Sequence, residues 1–255
     1  MESIHNTLFV GKFVYHFESL PSTNAFAQEL VSKSKPSEGT VISASFQTEG
    51  RGQLGSRWES AAAENIMLSI VFYPTFLMPY EQFELNRIIA LAVRDTLQIY
   101  VTTSVKIKWP NDIYVNEKKI CGILIQNTLQ TNGIQSSIVG IGINVNQLNF
   151  SEEASKATSV ILQTKQKHDL VPIQENLCQN IEARYLQLKT RKFAPIHKDY
   201  LLHLYRFEEW HIYKRVCDNH TFKGKIIDIN NEGCLEILFE NNEIESFNLK
   251  EVQFL

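Results

Sequence analysis

The sequence predicts an α+β fold in two parts, a larger domain of helices and strands followed by a small C-terminal β-barrel. Three observations carry that expectation. Apolar, β-branched runs end in polar, glycine-marked patches; two long stretches space their apolar residues as helices do; and after Trp210 the chain turns to short strands separated by tight turns. A chain of 255 residues can bury one substantial core and still carry a satellite. The expected division is 1–205 and 206–255.

The elements follow in order. Phe9, Val10 and residues 13–17 read as a short strand leading to Pro21, Ser22, Thr23 and Asn24, a cluster of turn and N-cap residues, with a helix carrying Ala27, Leu30 and Val31 behind it. Glu38 and Gly39 break the chain, and residues 40–46 form a buried strand that runs straight into a glycine-rich segment. Residues 65–73 make a second strand, closed by Pro74. From Tyr80 to Ile99 the apolar positions surround more than one helical face, which predicts a largely buried helix. Residues 106–108 and 112–115 are short strands, 119–126 return as a hairpin across Asn116 and Glu117, and 137–145 form a strand with two internal glycines. Leu177, Ile181, Tyr185 and Leu188 share one stripe of a helix that closes the larger domain. Residues 221–230, 234–239 and 245–249 are the strands of the barrel.

Composition narrows the function. Hydrophobic residues make up 44% of the chain and charged residues 21%, the balance of a folded globular protein. A formal net charge of −3 gives no case for non-specific nucleic-acid binding, which needs clustered basic surface to neutralise phosphates. Cys121, Cys178, Cys217 and Cys234 lie far apart, with no C-x-x-C pair and no histidine at finger spacing, so no protein-held metal is expected. Residues 1–5 lack the basic start and apolar core of a secretion signal, and no apolar run reaches membrane-spanning length. A cytoplasmic protein with reduced thiols and no membrane contact is expected.

Four patches at strand ends carry the chemistry. Residues 47–58 place glycines at 50, 52 and 55, which allow positive φ and close approach of backbone N–H groups to an anion. Arg51 and Arg57 add guanidinium groups, and Trp58 offers a flat face for a base. The alternative is a mobile surface loop with solvated charges. Residues 108–112, Lys-Trp-Pro-Asn-Asp, form a corner stiffened by Pro110 that aims Asn111 and Asp112, and Lys119 on the return strand could face that carboxylate across a pocket. A plain turn, with Asp112 capping backbone and Lys119 in solvent, is the other reading. Gly140 and Gly142 interrupt a strand, which marks either close approach of a ligand, or a β-bulge or tight packing against the helix from Tyr80. Ser22, Thr23 and Asn24 read alone as a helix cap.

Together and in this order, the four patches resemble those of the biotin–protein ligases, also named biotin–[acetyl-CoA-carboxylase] ligases. Residues 50–58 resemble the family's Gly-Arg-Gly loop, 108–112 its Lys-Trp-Pro-Asn-Asp corner and 140–144 its Gly-x-Gly-Ile-Asn strand. The resemblance is strong over 22–146 and weak in the C-terminal segment. It implies a mixed β-sheet with helices, related to lipoate ligases and class II synthetases, plus an SH3-like barrel. It also implies ATP-dependent activation of biotin to biotinyl-5'-adenylate, with Mg²⁺ accompanying the nucleotide. Biotin then passes to a lysine of a biotin carboxyl carrier protein or domain of a biotin-dependent carboxylase. The first motif begins at Ser22, so the likeness is to the subgroup without an N-terminal helix-turn-helix, and no specific DNA binding is expected. Monomer and homodimer both stay open.

By the same resemblance, Arg51, Lys119 and Asp112 are the expected catalytic residues. Ser22, Thr23 and Gln47 would hydrogen-bond the biotin rings, Gly50 and Arg51 line the pocket, and Gly140 and Gly142 let the bicycle lie on bare backbone. Lys119 would contact the carboxylate and the new phosphate ester, with Trp58 and Asn144 beside the adenylate. Asn24, Gly52, Gln53, Lys108, Asn111 and Gly122 complete the expected binding set. One position departs from the family pattern: where a further arginine often follows two residues after Arg51, this chain has Gln53. A lipoate or octanoate ligase is the nearest rival, but the lipoate family's Arg-Arg-x-Ser-Gly-Gly run is absent. A non-catalytic biotin-binding protein is the rival of another class.

Overall fold

Runs rich in valine and isoleucine become strands where both faces can be buried, and β2 (Val41–Ala44) and β3 (Asn65–Phe72) are buried along their whole length. The computed structural model describes residues 3–255, so the first two residues of the expected larger domain lie outside it. With β1 (Val14–Phe17), β4 (Val105–Lys108), β5 (Asp112–Val115), β6 (Lys118–Gln130) and β7 (Gly133–Asn144), these strands form a seven-stranded sheet in the order β1-β2-β3-β7-β6-β5-β4. Only β1 and β2 run parallel, so the sheet is mixed, as the resemblance implies.

Strand alternation divides the core between two faces. Ile42, Val71 and Ile138 pack with Ala27 of α1 (Thr23–Lys33), while Val41, Ile70 and Val139 join the larger core under α2 (Gln82–Tyr100) and α4 (Leu170–Lys189). Helix α1 has only 11 residues. Strand β7 therefore passes from Ile138, beneath the helix, to Gly140 at its N-terminus and on to Gly142, beyond the helix. A cavity forms along that stretch. The short α3 (Val160–Thr164) lies between β7 and α4.

The helix expected to close the larger domain is followed by another, α5 (Phe193–Leu202), whose apolar positions are too few to stand out in the sequence. Beyond it, residues 203–205 continue the large sheet at its β4 edge, with Ile107 donating its N–H to the His203 carbonyl and accepting from that of Tyr205. This covers an edge strand that would otherwise expose unpaired backbone groups.

The C-terminal segment forms a second, antiparallel sheet from β8 (Trp210–Arg215), β9 (Thr221–Ile229), β10 (Leu235–Phe239), β11 (Ile244–Phe247) and β12 (Val252–Phe254), in the order β11-β10-β9-β8-β12. Three of these strands match the sequence reading, whereas β8 and β12 were not singled out by it. The expected barrel is not closed. Strands β11 and β12 stand at opposite edges and share no ladder among the described residues, and at four and three residues they have few bonds to gain by meeting. Aromatic rings pack within this sheet, with Phe222 stacked on Phe239 at 4.6 Å and on Phe247 at 5.8 Å, and Tyr213 set edge-on to Phe254 at 5.3 Å.

Two side chains of the larger part seat this sheet through its backbone. The fully buried Arg87 of α2 donates to the carbonyls of Ile229 (2.7 Å) and Asn230 (3.0 Å), and the indole N–H of Trp109 donates to the carbonyl of Gly233 (2.8 Å). The turn 230–233 is thereby fixed between α2 and the corner at 109–112. A second turn of the same sheet, around Leu249 and Lys250, reaches the cavity.

Candidate active site

The cavity lies on the α1 face of the large sheet and encloses about 230 Å³. Its first wall is the N-terminus of α1. The Ser22 hydroxyl accepts from the Ala25 N–H, so the cap read from the sequence is present, and the same residue also lines the cavity. Gln47 accepts from both the N–H of Thr23 (2.7 Å) and its hydroxyl (3.1 Å). Ser69, a serine within the apolar run of β3, lies within hydrogen-bond distance of the Thr23 hydroxyl (2.8 Å) and of Asn24 Oδ1 (2.6 Å), and Asn24 Nδ2 donates to Gln126 (2.9 Å). These polar groups satisfy one another out of water, which holds their remaining lone pairs and protons in fixed directions.

The corner at 108–112 and the strand that returns from it supply the reactive edge. Asp112 opposes Gly122 across β5 and β6, and a β-bulge between Ile113 and Tyr114 resets the register. Lys119 is thereby placed beside Asp112, with Nζ 2.5 Å from the carboxylate. Of the two readings of this corner, the facing pair across a pocket is the one that holds. Asn111 both lines the cavity and ties the corner to β6, donating to the Ile123 carbonyl at 2.6 Å. The Trp109–Pro110 bond is cis.

The loop 50–58 is a small hairpin rather than an open strap. Trp58 donates its N–H to the Gly50 carbonyl (3.0 Å), Gly52 donates to Ser56 (2.7 Å), and Arg51 pairs with Arg57. Of its three glycines only Gly55 has positive φ. Gly50 serves close approach instead: a Cβ there would stand 2.4 Å from the Trp58 carbonyl oxygen.

Trp58 lies flat on the sheet. A Cβ on Gly142 would stand 2.4 Å from its indole and one on Gly122 would stand 3.0 Å away, so this paired couple of glycines is the floor on which the ring rests. Gly140 takes Asn24 in the same way, its hypothetical Cβ falling 2.2 Å from Asn24 Oδ1. The bare backbone expected to receive a ligand thus receives two of the chain's own side chains. The glycines are required by how the site is assembled.

Trp58 is also a partition. A second, outer cavity of about 460 Å³ shares Arg57, Trp58 and Lys119 with the inner one and includes Asn144 and Tyr114. Trp58 Nε1 and Asn144 Oδ1 are a buried donor and a buried acceptor without partners among the described residues. Buried polar atoms are rarely left so, and the pair fits a planar ligand that carries both functions. Lys119 Nζ stands 5.7 Å from the indole centroid, at the junction of the two cavities.

Most expected residues meet at the inner cavity: Ser22, Thr23, Asn24, Gln47, Arg51, Gly52, Gln53, Trp58, Asn111, Asp112, Lys119, Gly122, Gly140 and Gly142 all line it. Three do not. Gly50 supports the loop from behind, and Asn144 lines the outer cavity. Lys108 turns toward the small sheet, where its amine bonds the Tyr114 hydroxyl at 3.0 Å and lies over the Phe254 ring at 5.0 Å. Burial pushes that amine below the ordinary lysine range and pushes the Tyr114 phenol up to about 12. Sequence reasoning missed Ser69, Ser56, Leu249 and Lys250. A lone serine inside β3 was a readable sign of a buried polar contact; Leu249 and Lys250 carried none, because they reach the cavity only through the docking of the second sheet.

Arg51, Arg57, Lys119 and Lys250 line the inner cavity against one carboxylate, Asp112, so the site favours anions. The hydroxyls of Ser22 and Thr23 are engaged in the wall, and neither has a histidine beside it. The arrangement suits a reaction in which the substrates supply both nucleophile and leaving group, while the protein positions anions and neutralises charge. Among the described residues no group of three or more histidine, cysteine, aspartate or glutamate side chains could hold a metal ion.

Residues 16–144 match the model of the biotin/lipoate A/B protein ligase family. The chain is 33% identical over 241 residues to the bifunctional ligase/repressor BirA of Bacillus subtilis (strain 168), covering 93% of this chain and 72% of the relative. It is 30% identical over 194 residues to a biotin–[acetyl-CoA-carboxylase] ligase of Paracoccus denitrificans, covering 74% and 79% of the two chains. The solved structure of a biotin protein ligase from Aquifex aeolicus in complex with biotin and ATP superposes with a TM-score of 0.78 at 26% identity, over 96% of this chain and all of that one.

Proposed function

Because the chain belongs to the biotin/lipoate A/B protein ligase family, we propose that it is a biotin–protein ligase, activating biotin with ATP to biotinyl-5'-adenylate and passing it to a carrier lysine of a biotin-dependent carboxylase. The observation that carries the reading is the Lys119–Asp112 pair at the junction of the inner and outer cavities. Biotin occupies the inner cavity, whose fixed polar wall of Thr23, Asn24 and Gln47 meets its ring system. The nucleotide occupies the outer one, with its base between Trp58 and Asn144. The carboxylate of the first and the α-phosphate of the second then meet at Lys119.

Lys119 neutralises the two anions as they approach, and Asp112 holds its ammonium in place. Arg51 and Arg57, on the hairpin above, stabilise the charge that develops as pyrophosphate leaves. The hairpin also excludes water, which would otherwise hydrolyse the mixed anhydride. Residues 1–205 supply both cavities, and 206–255 contribute Leu249 and Lys250; the passage from one part to the other follows the chain's change of sheet, Leu204 bridging to Ile107 and Phe207 to Ile226. The proposal takes up the ligase half of the Bacillus relative's name and assigns no repressor role. A cytoplasmic location is part of the same proposal; no helix among the described residues is long and apolar enough to cross a membrane.

Pyrophosphate exchange with biotin, lipoate and octanoate offered in parallel tests the reading. Exchange stimulated by biotin is expected. Stimulation by lipoate alone would overturn the substrate assignment, and none with any acid would favour a binding protein.

A further inference from the structure

A third opening, of about 250 Å³, adjoins the inner cavity. It shares Gln53, Asn111, Ile123 and Leu249 with that cavity and no residue with the outer one. Its walls are β6, the start of α2, the corner at 109–111, and the two turns of the small sheet at 230–233 and 248–249. The cleft therefore exists only because the second sheet is docked where it is.

Its electrostatic character is opposite to that of its neighbour. The inner cavity is lined by four cationic side chains. The cleft has none; its one charged side chain is the carboxylate of Glu232, and the rest of its polar lining is the amides Gln53, Gln82, Asn86, Asn111, Asn127 and Asn248. Anions are drawn to the one and amines to the other. Side-chain amide oxygens can replace water around an ammonium group, and Glu232 stands exposed on its turn, where an arriving cation meets it first.

We propose that this cleft admits the side chain of the acceptor lysine. The inference rests on the ligase reading above and adds to it the path of the second substrate. With the nucleotide in the outer cavity and the hairpin 50–58 above the inner one, the cleft is the approach whose charge suits an amine. The incoming ammonium, drawn in by the carboxylate and amides of the mouth, releases one proton to water before it reaches the acyl carbon. The amine nitrogen then attacks the acyl carbon. A C–N bond forms, the C–O bond to the phosphate breaks with its electron pair leaving on AMP, and the second nitrogen proton passes to that phosphate oxygen. The small sheet thereby gains a function: its turn 230–233 is one jamb of the entry.

The test uses the whole chain with Glu232→Lys and Gln82→Lys, two exposed positions at the rim that touch neither cavity of the adenylation step. Three rates are measured: biotin-dependent pyrophosphate exchange, capture of the adenylate by hydroxylamine, which is small and uncharged at neutral pH, and transfer to a biotin carboxyl carrier domain. The expected result is exchange and hydroxylamine capture close to the parent, with kcat/KM for the carrier lowered by about tenfold or more in both variants. Carrier transfer within about twofold of the parent in both variants would overturn the proposal, as would carrier transfer and hydroxylamine capture falling together. Absence of biotin-dependent exchange in the parent would instead overturn the ligase reading itself.

Discussion

At the scale of single residues the site turns on one ion pair and one loop position. Lys119 is held 2.5 Å from Asp112 at the meeting point of two cavities, so its charge is placed before any substrate arrives. Lys119→Ala should abolish biotin-dependent pyrophosphate exchange while the melting temperature stays close to the parent's, because the side chain is partly exposed and supports no core; normal exchange would refute its role. Gln53 lines both the inner cavity and the cleft beside it, at the position where the family often carries arginine. Hydrogen bonds to charged groups are worth roughly 1.5–3 kcal/mol, so Gln53→Arg should slow release of the adenylate by about ten- to a hundredfold. An unchanged release rate would show that Arg51 and Arg57 already supply that interaction. Fourteen of the seventeen expected site residues line the inner cavity, because peptide motifs specify local geometry well. At Gly140 and Gly142, which line the cavity, the sequence left the approaching group open for a physical reason. A glycine in a strand announces close approach but not the identity of what approaches, and here it is Asn24 and Trp58.

At the scale of elements, α2 is the member on which the two sheets meet. Arg87 and Glu84 form a buried ion pair one helical turn apart, with Glu84 Oε2 and Arg87 Nε left without hydrogen-bond partners among the described residues. Burial pushes the Glu84 carboxyl up, and Arg87 beside it draws it back down. Removing the arginine alone leaves a buried carboxylate and two bare carbonyls, a loss of about 3–5 kcal/mol, whereas removing both charges leaves no unpaired ion. Arg87→Met should therefore lower the melting temperature more than Glu84→Gln/Arg87→Met does; equal losses would mean that the pair is not coupled. Periodicity revealed α2 and α4 because many apolar residues repeat along them. It did not reveal β8 and β12, short strands of mixed burial, nor α5, which is short.

At the scale of the whole molecule the seam between the sheets is rich in tyrosine, and this gives it a pH dependence. Burial pushes the phenols of Tyr114 and Tyr205 up to about 12, helped at Tyr114 by the nearby Asp112 and at Tyr205 by the bond to Glu117. The folded chain keeps these protons after the unfolded chain, with phenols near 10, has lost them. Their contribution to stability is complete below about pH 10 and is lost as the pH rises to about 12. Denaturant titrations across that range should show stability falling with pH, and Tyr114→Phe should flatten the slope by about one proton, or about 1.4 kcal/mol per pH unit. An unchanged slope would mean that Tyr114 ionises freely in the fold. This long-range layer of the structure was the least legible in the sequence. The mixed sheet and a second, C-terminal sheet could be anticipated, but the cleft, the reach of Leu249 and Lys250, and the open edge of the small sheet depend on how two folded pieces dock.

Arg87 grips the small sheet by two main-chain oxygens, those of Ile229 and Asn230, rather than by side chains. Every amino acid offers the same oxygen at those places, so the grip is blind to what is written there. The small sheet is in effect a replaceable part: a segment of unrelated sequence that presented a turn of the same shape could be grafted onto the larger part and be held, carrying a different rim to the cleft. Chimeras built at the passage between Leu204 and Phe207 offer a way to exchange acceptor preference without rebuilding the chemistry.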